Sequence, residues 1–247
     1  MTAIEMTRHR SGAGAQRVRS RSIARQTLLA CGILSGLLYV ATDVLGGLRY
    51  PGYSFNSQAI SELMAIGAPS ETFVDPLFIV YGVLTLAFSV GVFREGAGRT
   101  RALRITGVAL IGYAVTGFAG PTLFEMHPRG TGSHDTDMLH IVLTGVLVSF
   151  TLLSMAFGAF ALAWRFRVYS FLTLLIMIAM GAMSAAYGAR LAAGQPTPGF
   201  GIVERVLIYS SLLWMAVLAL ALLRRPSVRE APVEPLHEFL GRVAKEP

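Results

Sequence analysis

The sequence predicts an all-α polytopic membrane protein, a bundle of six transmembrane helices with both termini in the cytoplasm. Three observations carry this. Hydrophobic residues make up 53% of the 247-residue chain, mean hydropathy is +0.58 and only 14% of residues are charged, against about 25% in an average soluble domain. Six apolar stretches, 24–46, 73–93, 102–124, 138–163, 168–190 and 202–223, reach the length of about 20 residues that spans a bilayer core. The arginines then alternate from loop to loop. With the N-terminus inside, the first tail, the 94–104 loop (Arg94, Arg99, Arg101, Arg104), the 164–167 turn (Arg165, Arg167) and the C-terminal end (Arg224, Arg225, Arg229) all fall on one side. The other side holds only Arg49, Arg129, Arg190 and Arg205, which is the positive-inside pattern.

The net charge of +7 is therefore topological. No basic face interleaved with aromatics is present, so nucleic acid is not an expected partner. The single cysteine, Cys31, lies in an apolar stretch and excludes an internal disulfide. The only lysine is Lys245, in the tail, which excludes a retinal Schiff base within the bundle. The chain divides into an Arg-rich tail over 1–22, expected to be disordered, a membrane domain over 23–225 and a second cytoplasmic tail over 226–247.

Taken in order, the first outer loop opens with Tyr50-Pro51-Gly52-Tyr53, a turn bracketed by aromatics that suit a headgroup boundary. Ile60, Leu63 and Met64 follow at i, i+3, i+4, with Ser57, Ser61 and Glu62 on other faces. This pattern predicts a short amphipathic helix over 56–64 lying on the membrane surface and ended by Gly67. Thr72 to Asp75 reads as a capping box for the second span, with Pro76 in its first turn. Pro121 should bend or end the third span. Asp137 and His140 open the fourth one helical turn apart and so share a face. Gly181/Ala185 and Ser184/Gly188 are small-xxx-small pairs suited to close helix contact in the fifth span.

Polar chemistry gathers on the outer side. The stretch from Glu125 to His140 alone holds three of the five histidines, together with Glu125, Arg129, Asp135 and Asp137. Ionisable groups at the edge of lipid are costly, so they are expected to pair or to line a wet cavity. Two functional classes follow. In the first, His127, His134, Asp137 and His140 hold a metal, with zinc the ion that imidazole and carboxylate suit, and Glu125 or Glu62 acts as general base in a hydrolase working on a lipid. Glu62, His127, Asp137 and His140 are its catalytic candidates. Their spacing matches no specific zinc signature, and a polar loop capping two helices accounts for them equally. In the second class the outer face binds a lipid headgroup or small lipophile without catalysis, through Ser61, Glu62, Arg129, Arg190, Glu204 and Arg205. This class predicts ion pairs among Glu62, Arg129, Arg190, Glu204 and Arg205 with no open cavity, and it is preferred because no catalytic motif is specific. Membrane lipid is the expected partner.

Ser57-x-x-Ile60-Ser61-Glu62-Leu63 with Gly67-Ala68-Pro69 resembles the ISEL-type element of a bacterial and archaeal membrane family, domain of unknown function 998. Met126-His127-Pro128 to Asp137-x-x-His140, and Gly201-x-x-Glu204-Arg205 with Trp214, are similar too. The resemblance covers about 25–225; Met64-Ala65-Ile66 departs from the usual wording. It implies a six-helix integral membrane protein and carries no agreed activity; a bacterial plasma membrane is the expected location. Its motif positions fall at Ser61, Glu62, His127, Asp137, His140, Glu204 and Arg205.

Overall fold

Every backbone amide in the hydrocarbon region needs an internal partner, and a helix supplies one locally. The computed structural model describes residues 3–124, 126–129, 131 and 135–226, with backbone alone at 3–21, 120–122 and 192, and these residues contain helices and no strand. The helices are α1 (Ala3–Arg49), α2 (Glu71–Ala97), α3 (Arg101–Leu123), α4 (Asp135–Gly158), α5 (Trp164–Ala186), the single turn α6 (Gly188–Ala192) and α7 (Phe200–Leu223). Six apolar helical segments are long enough to cross a membrane: Ser22–Arg49, Glu71–Ala97, Arg101–Ala119, Asp135–Gly158, Trp164–Ala186 and Phe200–Leu223. All six predicted spans are present.

Two local expectations change. The backbone of the arginine-rich segment continues α1 from Ala3, where a disordered tail was expected; arginine, alanine and glutamine extend a helix already nucleated by its apolar half at little cost. The second span starts at Glu71, with Ser70 at its N-cap position. Ser70 Oγ donates to the Leu63 carbonyl and Glu71 receives the Gly67 N–H, so Thr72 and Asp75 do not form the expected box at the start.

The long helices form a ring in the order α1, α2, α3, α4, α5, α7, and α7 closes back on α1. Close packing of α2 on α3 needs glycine: a Cβ on Gly107 would stand 2.5 Å from the Phe93 backbone. Trp214 of α7 is fully buried, donates from Nε1 to Ser170 Oγ at 2.9 Å, and lies over Gly158 at the end of α4. One end of the bundle is stapled by arginine. Arg25 binds Glu95 at 2.6 Å and donates to the Leu222 carbonyl at 2.7 Å, and Arg99 binds Glu95 at 3.0 Å, which joins α1 and α2 to the C-terminal end of α7, where a cation is favourable.

The α4/α5 seam is different. The buried residues of α4 are Thr151, Ser154, Met155 and Gly158, and those of α5 are Phe166, Ser170, Thr173 and Met177. All four of α4, and Phe166, Ser170 and Thr173 of α5, lie toward the arginine-stapled end, with Met177 just past the middle of α5. Toward the opposite end neither helix buries a described residue. In the small-residue stripe a Cβ on Gly181 would meet only the Leu207 side chain, at 3.8 Å, and one on Gly188, which falls in α6, would meet nothing within 4 Å. The ring is thus closely packed at one end and sparsely buried along α4 and α5 at the other.

Candidate functional site

The sparsely buried end is roofed by loops, and arginine holds the roof together. Ile60–Met64 is a 3₁₀ turn of five residues, not a helix on the membrane surface. Ile60 and Leu63 are buried against Val74, Tyr39, Phe73 and Ile208. The apolar spacing was read correctly, but it faces a protein groove. Period alone cannot distinguish a groove from a lipid surface.

Two arginines tie the loops to the helices. Arg205 on α7 makes a two-point pair with Asp43 on α1, Nη2 to Oδ1 at 2.8 Å and Nε to Oδ2 at 2.9 Å. Its Nη2 also donates to the Tyr53 hydroxyl at 2.7 Å, and Nη1 donates to the Phe55, Gln58 and Gly201 carbonyls at 2.9, 3.1 and 3.1 Å. The loop lies so close over α7 that a Cβ on Gly201 would stand 2.5 Å from two of its carbonyls. Tyr53 passes its own proton to the Ala59 carbonyl at 2.7 Å, and Tyr209 donates to Asp43 at 2.5 Å. Burial pushes the Tyr53 hydroxyl well above the ordinary tyrosine range, with Arg205 opposing the shift. Tyr53 was expected at a headgroup boundary; it instead reaches into this network.

Arg129 performs the same work for the third loop. It pairs with Glu62 at 2.5 Å and donates to Thr197 Oγ1 at 2.6 Å; Thr197 in turn donates to the Ser57 carbonyl at 2.9 Å. Glu62 is 6% exposed and also accepts from the Ala59 N–H and Gln58. The Ile66 N–H to Met126 carbonyl bond closes the same junction at 2.9 Å. Three loops distant in sequence therefore form one lid.

The remaining predicted residues fall into two groups. His127 meets Asp137 through its backbone N–H at 2.9 Å and its Nδ1 at 3.2 Å. His140 turns its Nδ1 to the Phe124 carbonyl at 3.0 Å. Glu125 and His134 lie outside the described residues. Among the described residues no three His, Cys, Asp or Glu groups come together to hold a metal ion. Ser61 is half-buried beside Glu62, and Arg190 is exposed on α6, away from the paired arginines in its bonding: no side-chain partner of Arg190 is found among the described residues. The structure thus joins Glu62 to Arg129, and gives Arg205 a partner, Asp43, that site reasoning did not select. The signal was available, since an aspartate inside an apolar stretch requires a cation.

Glu204 is the exception among these acids. One oxygen accepts the Ile60 N–H at 2.6 Å. No cation pairs with it among the described residues, and the side chain is half-buried.

Residues 33–221 match the family model described as protein of unknown function (DUF998), and the chain belongs to that family. No curated protein and no solved structure matches it.

Proposed function

We infer that this multi-pass protein is a non-catalytic binder of a polar-headed lipophile, taken in from the bilayer at the roofed end. The observation that carries this reading is the seam between α4 and α5. No residue is buried over 135–150 of α4 or over 178–186 of α5, while the loops above are tied shut by Arg129 and Arg205. A site closed to water from above and sparsely buried along two helices at its side suits a molecule that arrives through lipid. The arginine distribution supports a roof outside a bacterial plasma membrane with both termini in the cytoplasm. Reporter fusions at the two termini and at the 195–199 loop test that orientation.

The binding reading is tested by extracting lipid from detergent-purified protein and comparing it with the source membrane by mass spectrometry. Enrichment of one polar-headed species to about one per chain is expected. An extract with the composition of the bulk membrane would remove the reading.

A metal-dependent hydrolase at the same face is the second reading. The His127–Asp137 contact favours it, because a carboxylate on one ring nitrogen orients the other for metal or proton transfer. About one zinc per purified chain, lost in His127→Ala, would promote it above the first.

A further inference from the structure

The faces of α7 locate Glu204. Arg205, Tyr209 and Leu212 turn to α1, where Arg205 and Tyr209 bind Asp43 and Leu212 lies against Gly36. Leu207 and Trp214 turn to α5, against Gly181 and Ser170. Ile202, Val206, Leu213 and Leu220 are exposed and form the lipid face. Glu204, Ile208, Ser211 and Met215 make the fourth face at spacings of 4, 3 and 4, and the burial of Ser211 and Met215 directs it into the bundle. Glu204 therefore points inward, below the 3₁₀ turn.

Tyrosines lie deeper along the same interior. Tyr39 is ten residues from the end of α1 at Arg49, about 15 Å down the helix axis. Its ring packs on Tyr81 at 4.9 Å, and Tyr81 and Tyr113 share a hydroxyl–hydroxyl bond of 2.5 Å. Tyr39 also packs against the Ile60, Leu63 and Val74 cluster, and Glu204 accepts the Ile60 N–H. Its hydroxyl has no hydrogen-bond partner among the described residues, and the same holds for Glu204 Oε1. The cations nearby are already committed. Arg205 uses Nε, Nη1 and Nη2 on protein acceptors, and Arg129 uses both terminal nitrogens. The interior thus offers spare hydrogen-bond capacity on a carboxylate and a phenol, and no spare guanidinium for a phosphate.

We propose that the lipophile's head is a hydrogen-bond donor, a hydroxyl or an ammonium, seated on Glu204 Oε1 and the Tyr39 hydroxyl, and that phosphate-headed lipids are refused. This rests on the lipophile-binding reading and specifies its ligand class. Both donors gain a charge-assisted bond from the carboxylate, and an ammonium adds the attraction of opposite charges. A phosphate would meet the Glu204 carboxylate, while Arg205, the neighbouring guanidinium, is already taken up by protein acceptors.

The test uses the full chain in phosphatidylcholine nanodiscs, titrated with dodecylamine, dodecanol and dodecyl phosphate, with empty nanodiscs as the blank. Unfolding temperature and intrinsic fluorescence are read together. Dodecylamine or dodecanol should raise the unfolding temperature of the wild type saturably, and dodecyl phosphate should not. Glu204→Gln should weaken dodecylamine binding by about tenfold or more, the loss of a charge-assisted bond. Tyr39→Phe removes one oxygen and should weaken both donors; it carries the test if Glu204→Gln does not fold. Tighter binding of dodecyl phosphate than of either donor, or equal donor binding by wild type and both variants, would overturn the proposal. A co-purified lipid retained in full by Glu204→Gln would overturn it while leaving the binding reading intact. No enriched lipid and no binding of any probe would end both.

Discussion

Asp43 on α1 and Arg205 on α7 meet in two parallel hydrogen bonds, although 162 residues separate them in sequence. Asp43 is fully buried and Arg205 is 7% exposed. Breaking such a pair from one side leaves an uncompensated charge in low dielectric. Arg205→Met should cost about 3–5 kcal/mol and lower the unfolding temperature in detergent. The double variant Asp43→Leu/Arg205→Met should recover part of that loss, because no lone charge remains. A thermal series on the four proteins of the cycle measures this; a double variant as damaged as the sum of the singles would refute it.

Arg129 joins the 126–129 loop to Glu62 and Thr197. Arg129→Ala leaves buried Glu62 with only its Ala59 and Gln58 donors, at a cost of about 1–3 kcal/mol. The effect should be local. Hydrogen exchange over 57–66 should accelerate while α2 and α7 stay protected. Unchanged exchange there would show that Arg129 does not hold the roof.

Gly107 permits the α2–α3 contact. A Cβ there would lie 2.5 Å from the Phe93 backbone, which cannot move aside as a side chain can. Gly107→Val should destabilise by about 1–3 kcal/mol through overpacking. Gly145→Trp serves the opposite purpose. That position is exposed on the roofed half of α4 with open space within 4 Å, so the fold should survive a tryptophan there, while a lipophile lying against that half of the helix would be displaced. Normal unfolding temperature with loss of co-purified lipid is the expected pair of results.

Tyr53 gives the pH prediction. Its hydroxyl is raised above the ordinary value of about 10 by burial, Arg205 opposing. The folded state therefore holds this proton more tightly than the unfolded chain does. Its contribution is fully present below about pH 10 and is lost as pH rises through the folded value. Tyr53→Phe should flatten the alkaline decline in stability relative to wild type, measured from pH 8 to about 11.

The six spans, their order and the one-sided polar loops were legible because hydropathy and arginine placement are properties of the chain itself. Glu62, Arg129 and Arg205 were legible as a charged set for the same reason, since ionisable groups beside lipid must find partners. The identity of each partner was not. Asp43 to Arg205 and Glu62 to Arg129 depend on which helix ends the ring brings together. The apolar side of 59–64 was likewise visible in the sequence, and whether it met lipid or protein was not. Glu204 and Arg205 are neighbours in the chain, yet one faces the bundle interior with an oxygen to spare and the other is saturated against α1. Sequence determined what needed burying and what needed a partner; the tertiary structure decided the pairings, because a helix turn of 100° per residue sends adjacent side chains to different neighbours.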